Sequence, residues 1–303
     1  MRRLAFALVL LTAPALAQEA PPTPQPAPLP DIPTLLHQVE DNQKAAEAAQ
    51  RNYLYKVATI RQETDSHGAA KKTSTTVADS LTLRGIRVNR IVSRNGKDLT
   101  VDEQKKEIDR IDKQVNKANE RLQRAAEKGK DVTANGDDEI TVSRFLQLGS
   151  FSNPRRELRD GRPTIVVDFA GDPHAKTRNP GEGLIRVLAG TIWIDEQDRA
   201  IYRIEGHAVA DFKLGAGLIV DLKKDTSFSL QTTKINNEVW LPAHIEAQGS
   251  LRYLLFFSFT GSVRITCSDY RKFQASSTIL YVNPPVPADS TDTQPAPPAP
   301  PAP

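Results

Sequence analysis

Apolar residues recur at helical spacing in two stretches of the first half of the chain, and over most of the rest they alternate with polar ones. Within residues 34–52, Leu35, Leu36, Val39, Ala46 and Ala49 fall near a period of 3.6, with Asp31 and Thr34 available as caps. This predicts one amphipathic helix. Residues 53–60 and 72–83 are rich in aromatic and β-branched side chains, which predicts two antiparallel strands around the turn Asp65-Ser66-His67-Gly68. A third strand, 86–94, runs into Asn95-Gly96, a dipeptide that tolerates the positive φ angles of a tight hairpin.

Residues 101–130 follow a different rule. Ile108, Ile111, Val115, Ala118, Leu122 and Ala125 are alternately three and four positions apart, and charge fills most of the places between them. The pattern predicts a long helix with a narrow apolar stripe, supported by i, i+4 pairs such as Asp102 with Lys106, Asp109 with Lys113 and Glu120 with Arg124. So thin a stripe suits a solvated helix lying over a sheet; a mobile cover or a coiled-coil contact is the alternative.

After a loop at 128–138 and a short helix at 139–148, the chain reads as β. One hairpin joins 155–159 to 164–169 around Asp160-Gly161, and another joins 190–195 to 200–209 across Glu196-Gln197-Asp198-Arg199. A helical link at 181–188 separates them. Strands at 226–235, 238–251 and 255–269 and a last segment to Val282 complete a meander of about ten strands. The expected fold is therefore mainly β within the α+β class: a curved antiparallel sheet with a few helices covering its concave side. Phe228 and Leu230 alternate with Ser227 and Ser229, and Ile192 and Ile194 alternate with Trp193 and Asp195, so each strand has a greasier and a more polar face.

Composition sets the limits of this body. Of 22 prolines, one (Pro14) lies in the leader, seven lie between Gln18 and Pro33 and nine between Asn283 and Pro303, leaving five for residues 34–282. The expected organisation is a signal peptide at 1–17, a proline-rich linker at 18–33, one β domain at 34–282 and an unstructured tail at 283–303. Arg2 and Arg3, the apolar run 4–11 and Ala15-Leu16-Ala17 make the signal, with cleavage expected after Ala17 and a periplasmic or secreted location. The residue directly after that cleavage site is Gln18, not a cysteine that could carry a lipid, and no later stretch reaches the roughly 18 apolar residues of a spanning helix. No integral span is expected in the mature chain. A formal charge of +3 over 303 residues is too slight to argue for nucleic acid as a partner. Cys267, the one cysteine, has no partner for an internal disulfide and reads as a buried strand residue.

The residues offer little chemistry. His244-Ile245-Glu246 has the spacing of a zinc-deaminase motif but lacks its cysteines, and adjacent Asp65-Ser66-His67 cannot converge as a triad. Gly215-Ala216-Gly217 lacks the third glycine of a nucleotide loop, and Asp195, Glu196 and Asp198 lack the glycine and terminal glutamate of a calcium loop. No catalytic residue, metal or cofactor is predicted. What stands out is aromatic and aliphatic material in strands, including Trp193, Tyr202, Phe228, Trp240 and the continuous Leu254-Leu255-Phe256-Phe257. It reads as ordinary core or as an apolar ligand site.

Gly190-Thr191-Ile192-Trp193-Ile194-Asp195 with its return through 199–205, and later Asn237-Glu238-Val239-Trp240-Leu241-Pro242, resemble hairpins of the outer-membrane lipoprotein-sorting and carrier proteins. The resemblance covers about residues 34–273 in order of elements. It implies an incomplete antiparallel β-barrel whose mouth is closed by helices, holding a lipid or the acyl chains of a lipoprotein. Trp193, Phe228 and Phe256 are then the expected lining, a lipid or acylated protein the expected partner, and an envelope protein a further one. A non-transporting envelope scaffold or lipid-sensing module of the same fold is the alternative, and a hydrolase the outsider.

Overall fold

Asparagines shape two of the hairpins. Asn95 (φ 49°), Asn236 (52°) and Asn237 (54°) take up left-handed backbone, which Asn tolerates better than most side-chain-bearing residues. The computed structural model describes residues 28–65, 67–129, 132, 141–215, 220–253 and 257–273. The expected signal peptide, most of the proline-rich linker, most of the 128–138 loop, Ala216-Gly217, Phe256, the segment toward Val282 and the proline-rich tail lie outside the described residues.

In chain order the elements are α1 (Ile32–Arg51), β1 (Tyr53–Thr64), β2 (Ala70–Leu83), β3 (Ile86–Arg94), β4 (Lys97–Asp98), α2 (Val101–Lys128), α3 (Val142–Phe145), β5 (Gly149–Arg159) and β6 (Arg162–Gly171). There follow α4 (Pro180–Ile185), β7 (Leu188–Asp195), β8 (Ala200–Ala208), β9 (Phe212–Leu214), β10 (Val220–Leu222), β11 (Ser227–Ile235), β12 (Val239–Tyr253) and β13 (Phe257–Lys272). The thirteen strands form one antiparallel sheet ordered β4-β3-β2-β1-β13-β12-β11-β8-β7-β6-β5, with β10 and β9 branching from β12. The outer strands β4 and β5 do not meet, so the sheet stays open. Three strands beyond the expected ten are β4, β9 and β10, each too short to show alternation.

Three helices differ in extent from expectation, α4 among them: the link expected over 181–188 ends at Ile185, before β7 begins at Leu188. α1 starts at Ile32 rather than at residue 34, because Pro33 is tolerated in a first turn, where its missing N–H has no helical partner. Asp31 caps it, accepting from the Thr34 N–H at 3.0 Å and hydroxyl at 2.7 Å. The helix expected over 139–148 shrinks to α3, which is capped at its start by Thr141, whose side chain accepts the Arg144 N–H at 3.3 Å, and at its end by Leu146. α2 begins at Val101 as expected and ends two residues early, at Lys128, and it carries a capping box between Thr100 and Glu103.

Alternation along β1 sorts α1 and α2 onto opposite faces of the sheet. Tyr53, Tyr55 and Val57 pack with Ala49 of α1, whereas Leu54 joins Leu81, Ile86, Val88 and the α2 residues Ile111, Val115 and Ala118. Successive strand residues point to opposite sides. α2 therefore covers the β1–β3 end of the face that α1 leaves bare. Its stripe is also turned from the predicted one: Ile108 is 39% exposed, and Glu107 takes an inward place at 4%. The Glu107 carboxylate accepts the Ile91 N–H at 2.8 Å and two N–H groups of Arg110 at 2.8 and 2.6 Å. Burial opposes its charge, yet those bonds outweigh it and hold the pKa below the usual glutamate value.

α1 spans much of its own face. Leu35, Leu36 and Val39 pack on Ile165, Val167, Ile192 and Ile194, and the far end reaches β12 through the Gln50 side chain, which donates to the Trp240 carbonyl at 3.2 Å. Arg87 of β3 donates to the carbonyls of Gln50 and of Tyr53, a cation at the negative end of the helix. Its burial lowers the guanidinium pKa.

Candidate functional site

One cross-strand row on the α1 side runs Phe169 (β6), Gly190 (β7), Gly206 (β8), Phe228 (β11), Ala247 (β12) and Val263 (β13). The two glycines in its middle leave backbone bare between two aromatic rings. An added Cβ would stand 2.0 Å from the Glu205 carbonyl oxygen at Gly190, and 2.6 Å from the Phe228 ring at Gly206. The floor here admits no side chain. Above it, α1 and α3 roof a cavity of about 580 Å³ walled by Leu36, Val39, Phe145, Ile192, Ile204 and Phe228. That volume lies within the span of small-molecule sites.

One wall is an aromatic cluster. Phe145 stacks on Phe169 with centroids 4.5 Å apart, and Phe151 meets both at 5.5 and 5.3 Å. The rim is polar: Glu40, Gln43, Lys44 and Glu47 of α1 edge the opening. Glu40 accepts from Lys44 at 3.3 Å and from the Val142 N–H at 3.3 Å, which joins α1 to α3 across the entrance.

The opposite face is a polar trough of about 790 Å³, lined from β1, β13, β12, β11, β8, β7 and β6. Asp168, Thr191, Glu205, Ser229, Glu246 and Arg264 make its principal row. In a flat sheet its two ends would lie about 29 Å apart, six strand spacings. A single hollow reaching both requires curvature. Gly249 and Gly261, paired across β12 and β13 and both at φ 147°, provide one bend; a Cβ on Gly261 would lie 1.9 Å from the Gln62 carbonyl oxygen.

The expected lining residues fall in different places. Phe228 lines the apolar cavity and is 37% exposed. Trp193 is buried on the face away from α1, since it alternates with Ile192 and Ile194, which pack beneath that helix. Phe256 lies outside the described residues. Gly206, Ile204 and Phe169 are cavity residues that the sequence did not single out; only their cross-strand partners mark them.

The other motifs are structural. Glu246 pairs with Arg264 at 2.7 Å. Asp195 and Asp198 both receive Arg162 at 2.9 Å, and Asp198 also accepts the Trp240 indole N–H at 2.9 Å and Lys234 at 2.8 Å, so this turn is an ion-pair node. Among the described residues no group of three His, Cys, Asp or Glu could hold a metal ion, and no helix is long and apolar enough to cross a membrane. Cys267 is buried, and desolvation pushes its thiol up to about 11.

Solved structures match this chain over most of its length. A domain named for outer membrane lipoprotein sorting, from Vibrio parahaemolyticus, is 10% identical, with 80% of this chain and 94% of that one covered and a TM-score of 0.35. A LolA superfamily protein from Nitrosomonas europaea matches at 10% identity, covering 78% and 94% with a TM-score of 0.27. The Pseudomonas aeruginosa MucA/MucB complex matches at 11%, covering 78% and 99% with a TM-score of 0.22. The likeness is distant at these scores. No protein-family model matches the chain, and no curated protein is significantly similar to it.

Proposed function

We propose that this chain is an exported binding protein of the bacterial envelope that shelters the acyl chain of a lipid or acylated protein between α1 and the sheet. The observation that carries the reading is the apolar cavity of about 580 Å³, whose floor is kept low by Gly190 and Gly206 and whose walls are aliphatic and aromatic. An acyl chain entering it leaves water at roughly 0.8 kcal/mol per methylene. Ten methylenes give about 8 kcal/mol gross, from which roughly 4 kcal/mol or more is lost to immobilisation. The remainder suits reversible uptake. The function asks no bond-making of the site: its walls exclude water, and the charged α1 rim keeps the opening wet.

Titration of the full chain with a fluorescent fatty-acid probe tests this. Saturable uptake is expected, and Ile204→Trp, which fills the cavity from a half-buried wall position, should abolish it while the far-UV circular dichroism is unchanged. Failure of the unmodified protein to take up the probe, or uptake indifferent to Ile204→Trp, would count against an acyl site.

A further inference from the structure

A third hollow, of about 510 Å³, lies at the end of β9, between the 173–179 loop, α4 and β9 itself. Three cationic side chains line it: Arg178, Arg186 and Lys213. The carboxylates nearby are already engaged. Glu182 is buried against Arg144, whose guanidinium donates to both its oxygens at 2.7 and 2.8 Å, and it also takes the Arg178 N–H at 2.5 Å. Asp211, the one carboxylate of the lining, accepts from Lys223 at 3.4 Å and from the Lys224 N–H at 2.9 Å. Asp221 on β10 meets Lys223 at 3.1 Å.

Arg186 adds the second observation. Its Nε–H is buried and has no hydrogen-bond partner among the described residues. A desolvated guanidinium N–H without an acceptor is costly, and such donors are normally satisfied. Three cations lining one hollow, one of them with an unmatched donor, suit an anion with several acceptor oxygens, and the planar donor fork of arginine fits a phosphate better than a halide.

We infer that this pocket binds a phosphate oxyanion, borne by a lipid head group or by a soluble phosphate ester. The site is separate from the acyl cavity, though the two share a wall: Val187 lines the basic pocket and the next residue, Leu188, lines the apolar one. A phosphate at one side and an alkyl chain at the other would be held by neighbouring residues of one segment.

Equilibrium binding to the full chain of lysophosphatidate below its micellar concentration, glycerol 3-phosphate and inorganic phosphate tests the assignment. At least one of them should bind saturably. Lys213→Gln and Arg178→Gln, both at exposed positions that folding does not need, should each weaken that binding about tenfold, the loss expected for one charge-assisted bond. Arg186→Lys should weaken it as well, by removing the fork while keeping the charge. Tighter binding of lysophosphatidate than of glycerol 3-phosphate assigns the anion to a lipid, and equal binding assigns it to a soluble ester; either fulfils the inference. Absence of binding by all three, or affinities unchanged in Lys213→Gln and Arg178→Gln, overturns it. Ile204→Trp separates the two sites, because it should weaken lysophosphatidate and leave glycerol 3-phosphate untouched. Loss of fatty-acid uptake with phosphate binding intact would remove the acyl reading alone.

Discussion

The Phe228 ring on β11 stands where a side chain on Gly206 of β8 would project, 2.6 Å from an ideal Cβ. The pair is cross-strand, so a side chain at Gly206 must displace the ring. Gly206→Ala should cost about 1–3 kcal/mol by overpacking. Phe228→Ala in the same chain should recover part of that loss, giving a coupling of about 0.5 kcal/mol or more. Urea denaturation of the two single variants and the double variant measures it; strict additivity would show that the ring does not cover the glycine.

Glu107 binds α2 to the sheet through one backbone donor and one arginine. Glu107→Ala should destabilise the fold by about 2–3 kcal/mol, because the Ile91 N–H is left without its acceptor. Glu107→Gln keeps an acceptor oxygen and should cost less. Equal urea midpoints for the two variants would contradict this account.

Acid should loosen the α3–α4 corner. The bidentate Arg144 bonds, more than the Arg178 N–H, hold the Glu182 pKa down to about 2, against 4.5 ordinarily. Above pH 4.5 the carboxylate is ionised in both folded and unfolded chains, and its contribution is fully present. As pH falls from 4.5 toward 2 the unfolded chain binds the proton first, so stability declines through that window. Glu182→Gln should lower the urea midpoint at pH 7 and flatten its fall below pH 4.5. A variant with the same acid slope as the parent would assign that slope elsewhere.

Cys267 should resist thiol reagents in the folded protein. With its pKa pushed up to about 11 by burial, almost no thiolate exists at pH 8. Ellman's reagent should react only as fast as the protein opens, and promptly in denaturant. Rapid labelling of the folded chain would place the sulfur at the surface.

The hairpin frame was legible because its signals are local. Asn95-Gly96 and Asn236-Asn237 announce turns within two residues, and the stripe of α2 is periodic enough to give the helix to within two residues of its end. The cavity was less legible, because it is made by pairing. Gly190 and Gly206 sit opposite each other only through the register of β7 with β8, and Phe169 and Phe228 flank them through two further ladders. The alternation of Trp193 with Ile192 and Ile194 does give its side of the strand, but the side that α1 occupies is settled by packing. The basic pocket was invisible for the same reason: Arg178, Arg186 and Lys213 are spread over 36 positions and meet through the fold.

The seam between β1 and β13 sets when the body can form. Tyr53 mates with Lys272, so β1, an interior strand of the sheet, waits for its second partner until more than two hundred residues later. Contacts this remote in sequence are slow to close. Until β13 has been made, the block from β4 to β1 has no ladder joining it to the strands from β12 to β5, so the two halves of the sheet meet only when both are already built.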